Sequence, residues 1–469
     1  MSGRVPPAPL MDWGKKNSFY HDQIERYLSF HASKGDSLLV LGCGSGRIFD
    51  VARSASCVGI DTRLELIDQA KAGFQNHRNV VFHHVDDYGN MPEMGRVFDI
   101  VILYDVIAEL TDIQSLLEGL RRFMTARSRL ILNFHSHLWH PILLLAEKLG
   151  LKRPTRNPTW VTIEDITNLA ILSDYEVITR ERCILLPKRF LGLGPFVNRW
   201  LAPLPALEFL CLENIIVARP MGLKSDSSQP SITILVPARN EAGNIENIIK
   251  RLPPMGKRMD LIFVEGNSTD DTWNEIHRVR DAYPQLDIQV LKQPGRGKGD
   301  AVRFGLARAT GDILAILDAD LTMPPEDLPK YFNAIAANKG EFINGCRLVY
   351  PTEKEAMRFL NMIANKFFGW LFTWLLGQRY RDTLCGTKVL WRSDYERIVA
   401  NRSYFGDFDP FGDFDLIFGA ARLGLKTVEL PIRYKSRTYG TTNISRFRHG
   451  LLLFQMSMMA AVRLKFKRL

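Results

Sequence analysis

The chain has 469 residues, 46% of them hydrophobic and 24% charged, and carries a formal net charge of +10. That length exceeds one ordinary core and predicts two domains, and the balance of apolar and charged residues excludes a disordered chain. Its six cysteines are scattered with no Cys-x-x-Cys pair, which argues against a disulfide framework or a zinc site and predicts reduced thiols in a cytosolic protein.

The positive charge is unevenly placed. From Arg433 to the end there are nine Lys or Arg and no Asp or Glu. Such a tail predicts an anionic partner. No nucleic-acid module accompanies it, so the expectation is an anionic membrane surface and no nucleic acid. Met1–Leu10 is Pro-rich and lacks the apolar centre of a signal peptide. The longest apolar stretches, Phe367–Leu376 and Leu451–Val462, fall short of the roughly 18–20 residues that a spanning helix needs. The chain is therefore expected in the cytoplasm, peripheral on the cytoplasmic face of a membrane.

In chain order, residues 1–30 include an entry helix with Tyr20, Ile24, Tyr27 and Leu28 on one face. The buried strand Ser37–Leu41 follows, then Gly42-Cys43-Gly44-Ser45-Gly46, whose glycines let backbone approach a ligand and open a helix. The next strand, Cys57–Ile60, ends in Asp61, an acceptor placed for the two hydroxyls of a ribose. Val80–Val85 ends in Asp86-Asp87, Phe98–Leu103 in Tyr104-Asp105, and Arg129–Asn133 in Phe134-His135-Ser136-His137. Strand–helix alternation with polar residues at each strand's C-terminal end predicts an open parallel α/β sheet with its crevice there.

Leu39–Gly46, Gly59-Ile60-Asp61, Val85-Asp86-Asp87 and Phe98–Leu110 together resemble a class I S-adenosylmethionine-dependent methyltransferase. The resemblance implies a Rossmann-like fold that binds S-adenosylmethionine, with Gly42, Gly44 and Gly46 at its methionine end, Asp61 on the ribose and Asp86 near the adenine. Ala108-Glu109-Leu110 stands where many relatives carry a His. Sulfonium methyl transfer depends on alignment more than on acid–base help, but His135, His137 and Tyr104 lie where an acceptor's proton could be removed. Trp139–Leu149 and the Leu-, Phe- and Trp-rich stretch Leu185–Leu212 read as core packing, or as a lipid-facing lid if the acceptor is lipid-linked.

Arg219–Pro230 has the composition of an exposed linker. The expected division is a methyltransferase-like domain at 1–218, a linker at 219–230, a second domain at 231–445 and a basic amphipathic tail at 446–469. Strand–helix alternation restarts at Ser231–Val236. Strand Asp260–Val264 ends in Glu265, placed for a base or ribose. Strand Asp287–Leu291 leads through Pro294-Gly295-Arg296-Gly297-Lys298 into helix Ala301–Ala309, and its two cations in a glycine-rich setting suit a diphosphate. Ile313–Leu317 is an unbroken apolar strand that stops at Asp318-Ala319-Asp320. Two carboxylates so close predict a cation between them, and hard oxygen ligands suit Mg²⁺ or Mn²⁺.

Val236–Asn240, Val264–Thr272, Gly297–Gly305, Leu317–Glu326, Asp382–Lys388 and Glu429–Asn443 resemble glycosyltransferase family 2, in particular its dolichyl- and polyprenyl-phosphate mannose or glucose synthases. That resemblance implies a GT-A fold, a UDP- or GDP-hexose donor and a polyprenyl phosphate acceptor. Pro237, Ala238, Arg239, Glu241 and Glu265 would hold the donor nucleotide, Asp318 and Asp320 the metal, and Arg347 a phosphate. The chain departs from the pattern at Glu265-Gly266, where Asp-Asp is usual, at Thr322, and at Gly412-Asp413-Phe414-Asp415. Arg433, Lys435 and Arg437 are candidates to cradle an acceptor phosphate. For an alcohol acceptor on a glycan, Asp413 or Asp415 would be the base. A different alternative makes the first half a non-catalytic binding or scaffolding module.

Overall fold

A computed structural model describes residues 16–33, 35–52, 54–154, 160–223, 229–350, 359–404, 414–437, 439–440 and 446–466. The chain divides into two compact units, Met1–Ser225 with Lys465–Leu469, and Asp226–Leu464.

In the first unit the strands are β1 (Ser37–Leu41), β2 (Ser56–Asp61), β3 (Val80–His84), β4 (Phe98–Leu103), β5 (Met124–His135), β6 (Tyr175–Cys183) and β7 (Glu213–Pro220). They form one sheet in the order β3-β2-β1-β4-β5-β7-β6. The five strands β1–β5 run parallel, and β7 lies antiparallel between β5 and β6. Successive side chains of a strand face opposite ways, and here both faces are buried. Leu39, Leu41, Val101, Leu103, Leu130 and Leu132 enter one core; Leu38, Val40, Ile100, Ile102 and Ile131 enter the other. That double burial explains why the strands read as unbroken apolar runs. Each such side chain contributes about 1.5–3 kcal/mol. The chain reverses its winding direction between β1 and β4, which opens the crevice at their C-terminal ends.

The linker expectation is corrected at its start. Arg219 and Pro220 close β7, and the Arg219 guanidinium is fully buried, donating from Nε and Nη2 to Glu176 Oε2 at 2.9 and 2.7 Å. An Arg-Pro-Met-Gly run reads as exposed by composition, but the ion pair across to β6 carries the strand two residues further. The strand expected at Arg129–Asn133 is also longer, spanning Met124–His135.

The second unit holds β8 (Ile232–Ala238), β9 (Met259–Glu265), β10 (Asp287–Lys292), β11 (Ile313–Ile316), β12 (Phe342–Cys346), β13 (Lys388–Trp391) and β14 (Thr427–Pro431), in the order β10-β9-β8-β11-β13-β12-β14. β8 to β11 are parallel, and β13 is antiparallel to both β11 and β12. The switch between β8 and β11 again places a crevice at the strands' C-terminal ends. The helix expected at Ala301–Ala309 begins earlier, at Lys298, with Gly297 (φ 86°) as its N-cap. Among the described residues no helix is long and apolar enough to cross a membrane.

Candidate functional site

In the first unit, Gly42 and Gly44 adopt left-handed backbone, and a Cβ on Gly42 would strike the Tyr104 carbonyl at 2.3 Å. This close approach ties the glycine turn after β1 to the end of β4. Gly46 is also left-handed, at φ 85°, and turns into helix Arg47–Ala52. Asp61, at the end of β2, is fully buried: Gly44 N donates to its Oδ2 at 2.8 Å, and Arg63 takes both oxygens, Nε to Oδ1 at 2.7 Å and Nη2 to Oδ2 at 2.8 Å. A ribose would therefore have to displace the Arg63 guanidinium. Asp86 is exposed just past β3.

The three candidates for an acceptor's proton separate clearly. Tyr104 is buried, its hydroxyl bonded to His21 Nδ1 at 2.9 Å and to Glu25 at 3.3 Å; burial, then Glu25 and Asp105, hold that phenol well above its ordinary value. His137 is exposed. His135 closes β5, where its Nδ1 lies 2.6 Å from Glu213 Oε1. Around that pair, Tyr20 donates to Glu213 Oε1 at 2.9 Å and to Asp105 Oδ1 at 3.1 Å, and Asn133 Nδ2 donates to Asp105 and to Glu213 Oε2. Asp105 itself has φ 54°, an unusual backbone for an aspartate. Sequence reasoning reached His135 and Asp105, but missed Glu213, which comes from β7 and carries no local motif.

In the second unit, the acidic pair sits just beyond β11. Asp318 Oδ1 is 2.7 Å from Lys298 Nζ, and Asp320 Oδ2 is 2.9 Å from Arg437 Nη2. Thr322 donates to Asp320 Oδ1 from its amide at 3.1 Å and its hydroxyl at 2.7 Å, through a left-handed Leu321 (φ 57°). Burial alone would raise the Asp318 carboxyl, but Lys298, Lys388 and Arg347 outweigh it and hold Asp318 below the usual carboxylate range. The register explains these neighbours. Antiparallel β13 begins with Lys388 opposite Ile316, so Gly386 lies against Asp318, where a Cβ would meet the carboxylate at 1.9 Å. Lys388 is fully buried and was not singled out from sequence.

Arg437 also donates to Glu241 Oε1 at 2.7 Å, and the Lys435 amide donates to Thr322 O at 3.0 Å. The segment after β14 thus runs back beside the acidic turn. Glu241 is buried, and burial holds its carboxyl above the ordinary value despite Arg437. Arg347 follows β12 and grips the buried Asp382 with Nε and Nη2, each at 2.7 Å. Arg433 is exposed, 5.9 Å from the Tyr350 ring centre.

The residues expected to hold the donor nucleotide lie at and just after the ends of β8 and β9. Pro237 and Ala238 end β8; Gly266 N donates to Ala238 O, and Gln293 N to Glu265 O. Glu265 is buried and accepts from Ser268 N, and Arg239 and Arg296 are exposed. Asp415 stands apart: it is buried and held by Arg303 Nε at 3.2 Å and Arg402 Nε at 2.7 Å. Asp413 and Thr441–Asn443 lie outside the described residues.

The expected metal ligands pass a chemical test. Asp318 and Asp320 offer carboxylate oxygens at a strand end, and the glycine facing Asp318 leaves room that any side chain would take. Those are hard ligands of the kind Mg²⁺ and Mn²⁺ prefer. The sequence-based argument that only such an ion could balance both charges needs correction, since Lys298 and Arg437 each pair with one of the aspartates.

Comparisons with known proteins agree with this division. Residues 32–156 match a family model described as a methyltransferase domain, and residues 233–398 match glycosyl transferase family 2. A dolichol-phosphate mannosyltransferase of Pyrococcus furiosus is 30% identical over 137 residues, 29% of this chain and 38% of that protein. Glycosyltransferase AglJ of Haloferax volcanii is 27% identical over 226 residues, 48% of this chain and 70% of the relative. Among solved structures, the magnesium protoporphyrin IX methyltransferase of Synechocystis PCC 6803 aligns at 17% identity and TM-score 0.32, covering 47% of this chain and 90% of that one. The chain thus spans well under half the length of the Pyrococcus relative it matches. It carries a methyltransferase domain followed by a glycosyltransferase family 2 domain, each in a unit built on one seven-stranded α/β sheet.

Proposed function

We propose that this chain is a bifunctional, membrane-associated enzyme. Its second unit moves a hexose, with inversion, from a UDP- or GDP-sugar to a polyprenyl phosphate. Its first unit transfers a methyl group from S-adenosylmethionine within the same glycolipid pathway. The observation that carries this reading is the return of the basic segment Arg433–Arg437 to the acidic turn, where Arg437 pairs with Asp320 and the Lys435 amide bonds Thr322. It brings a cationic stretch to an acidic strand end, as a phosphate acceptor facing a nucleoside diphosphate would need. Two of the relatives' names, dolichol-phosphate mannosyltransferase and undecaprenyl-phosphate 4-deoxy-4-formamido-L-arabinose transferase, support the lipid phosphate.

A Mg²⁺ or Mn²⁺ ion held by Asp318 and Asp320 would offset charge on the departing diphosphate. Lys298 borders the same place and would share that task, with Arg296 two residues before it. A phosphate monoester has its second pKa near 6, so the acceptor arrives ionised and needs positioning rather than a base. Arg433, Lys435 and Arg437 would position it, with Arg347 fixed beside them by Asp382. Pro237, Ala238, Arg239, Glu241 and Glu265 would line the nucleotide. The alcohol-acceptor alternative draws less support, because two guanidiniums already claim Asp415.

Membrane contact draws support from exposed apolar faces in each unit. On helix Phe359–Leu376, Phe367 and Trp370 point outward at 48% and 62% exposure. On helix Arg446–Ala461, Leu451, Phe454 and Met458 are exposed at i, i+3 and i+7, one side of a helix. In the first unit, Ile142, Leu145, Leu149, Leu191 and Phe196 are also exposed, which favours the lipid-facing reading of that region over core packing. Lys148, Lys152, Arg189 and Arg199 accompany them in sequence, a composition suited to an anionic lipid surface.

The test supplies the chain with membranes, Mg²⁺ or Mn²⁺ and labelled UDP- or GDP-hexose, and follows label into organic extract. Asp320→Asn should abolish incorporation and leave S-adenosylmethionine binding unchanged. Label that stays in the aqueous phase with every donor would refute the lipid acceptor.

A further inference from the structure

The cluster of His135, Glu213, Asp105, Tyr20 and Asn133 has no place in cofactor binding as read above, yet it stands at the C-terminal ends of β4 and β5, beside the glycine turn. Glu213 is fully buried and engages three neighbours: Tyr20 Oη at 2.9 Å, Asn133 Nδ2 at 3.1 Å and His135 Nδ1 at 2.6 Å. A buried carboxylate bound to one imidazole nitrogen fixes the ring and leaves the other nitrogen to act. The His135 side chain remains 24% exposed, and among the described residues its Nε2 has no protein partner. One ring nitrogen is thus committed to the protein, and the partly exposed ring leaves the other uncommitted.

We propose that His135 is the general base of methyl transfer, with Glu213 as its positioning residue, and that the acceptor is a neutral hydroxyl. This rests on the methyltransferase reading of the first unit and adds to it the acceptor's chemical class. The acceptor oxygen bonds to the methyl carbon as the carbon–sulfur bond breaks, its electron pair returning to sulfur to give S-adenosylhomocysteine. The hydroxyl proton passes to His135 Nε2, so the sulfonium's positive charge ends on the imidazolium. Glu213 and Asp105 stabilise that imidazolium. The same two carboxylates, close enough to His135 that all three ligand atoms lie within 4.8 Å of one another, repel an acceptor that is itself a carboxylate or phosphate. Glu213 is already engaged by three neighbours, which favours a base over a bound cation at this cluster.

Among the described residues, the groups that bear on the imidazole's titration are Glu213 from β7, Asp105 after β4 and Lys152, with Tyr20 from helix Ser18–Ser29 in edge contact with the ring. Burial lowers its pKa, but Glu213 and Asp105 outweigh burial and hold it above the ordinary histidine value. A base must first lose its proton, so methyl transfer should rise with pH through a value above 6.5.

The experiment incubates the full chain with S-adenosylmethionine labelled in its methyl group and a total membrane lipid extract, and follows label from pH 6 to 9. Calorimetry measures S-adenosylhomocysteine affinity in parallel. His135→Ala should lose roughly 10²–10⁴-fold in rate, bind S-adenosylhomocysteine as before, and recover activity with added imidazole. Glu213→Gln should move the rising limb to lower pH. If His135→Ala keeps more than a tenth of the rate, or imidazole restores nothing, the base assignment falls while the transferase reading stands. Loss of label on chelation that added Zn²⁺ restores would make the cluster a cation site and overturn the proposal. If the unaltered chain binds S-adenosylhomocysteine but labels nothing, the transferase reading falls and the base falls with it. His135→Gln, which keeps a polar side chain of similar reach, serves if the alanine variant fails to fold.

Discussion

Each unit gathers carboxylates at the C-terminal ends of its strands, but the two clusters are neutralised by different means. Asp318 and Asp320 are met by full cations, Lys298 and Arg437, with Lys388 and Arg347 close behind. Glu213 and Asp105 are met by neutral donors, Tyr20 and Asn133, and by one histidine. The first arrangement keeps Asp318 ionised and surrounds the pair with charge that can turn toward a phosphate. The second raises proton affinity: burial and then Glu213 lift Asp105 above the usual carboxylate range. Polyanion chemistry suits one, and movement of a single proton the other.

The largest expected effect separates the two. Asp320→Asn should cost glycosyl transfer roughly 10²–10³-fold or more, as losing one charge-stabilising group does elsewhere, with methyl transfer unchanged; parallel assays with the two labels check it. Loss of both activities would break the comparison. Gly386→Ala sharpens it from the backbone side. The new methyl group must collide with the Asp318 carboxylate, so hexose transfer should fall by up to about a hundredfold, the size of effect that a displacement near 1 Å produces. Steady-state kinetics with varied donor and varied Mn²⁺ reads this out.

Next comes a pH effect confined to the first unit. Burial lifts the Glu25 carboxyl to about 7, above an unfolded reference near 4.3. A carboxylate raised in this way contributes fully below the unfolded pKa, and its contribution is lost as pH rises through the folded value. Stability should therefore decline between about pH 4.3 and 7, by roughly 3–4 kcal/mol. Glu25→Gln keeps an acceptor for the Tyr104 hydroxyl and should abolish that decline. Urea unfolding at pH 5 and pH 8, followed by circular dichroism with S-adenosylhomocysteine binding as the marker of the first unit, tests it.

The smallest effect concerns Arg63. Because its guanidinium holds both oxygens of Asp61, Arg63→Ala should tighten S-adenosylmethionine binding by a few-fold, measured by calorimetry. Weaker binding would mean that Arg63 itself meets the cofactor.

What sequence made legible follows from distance along the chain. Asp318-Ala319-Asp320, the glycine turn at 42–46 and the basic glycine-rich stretch Pro294–Lys298 are local patterns, and each follows the strand it was read beside, although the helix after the last begins at Lys298 rather than Ala301. Arg437 reaches Asp320 across 117 positions, and Glu213 reaches Asn133 across 80. Only sheet order brings such residues together. Lys388 stayed hidden because a lysine in a short strand reads as an edge residue, whereas here β13 is interior and antiparallel. Strand β6, Tyr175–Cys183, is rich in Glu and Arg and escaped notice for the same reason: its charges are satisfied by partners such as Arg219 on β7.

The most direct measurement is electron paramagnetic resonance of Mn²⁺ titrated into the chain with and without a UDP- or GDP-hexose, alongside label transfer to polyprenyl phosphate. The account predicts that donor and Mn²⁺ bind together, that Asp318→Asn and Asp320→Asn release the ion, and that chelation stops transfer. Transfer that survives exhaustive chelation, or Mn²⁺ binding indifferent to both substitutions, would contradict it.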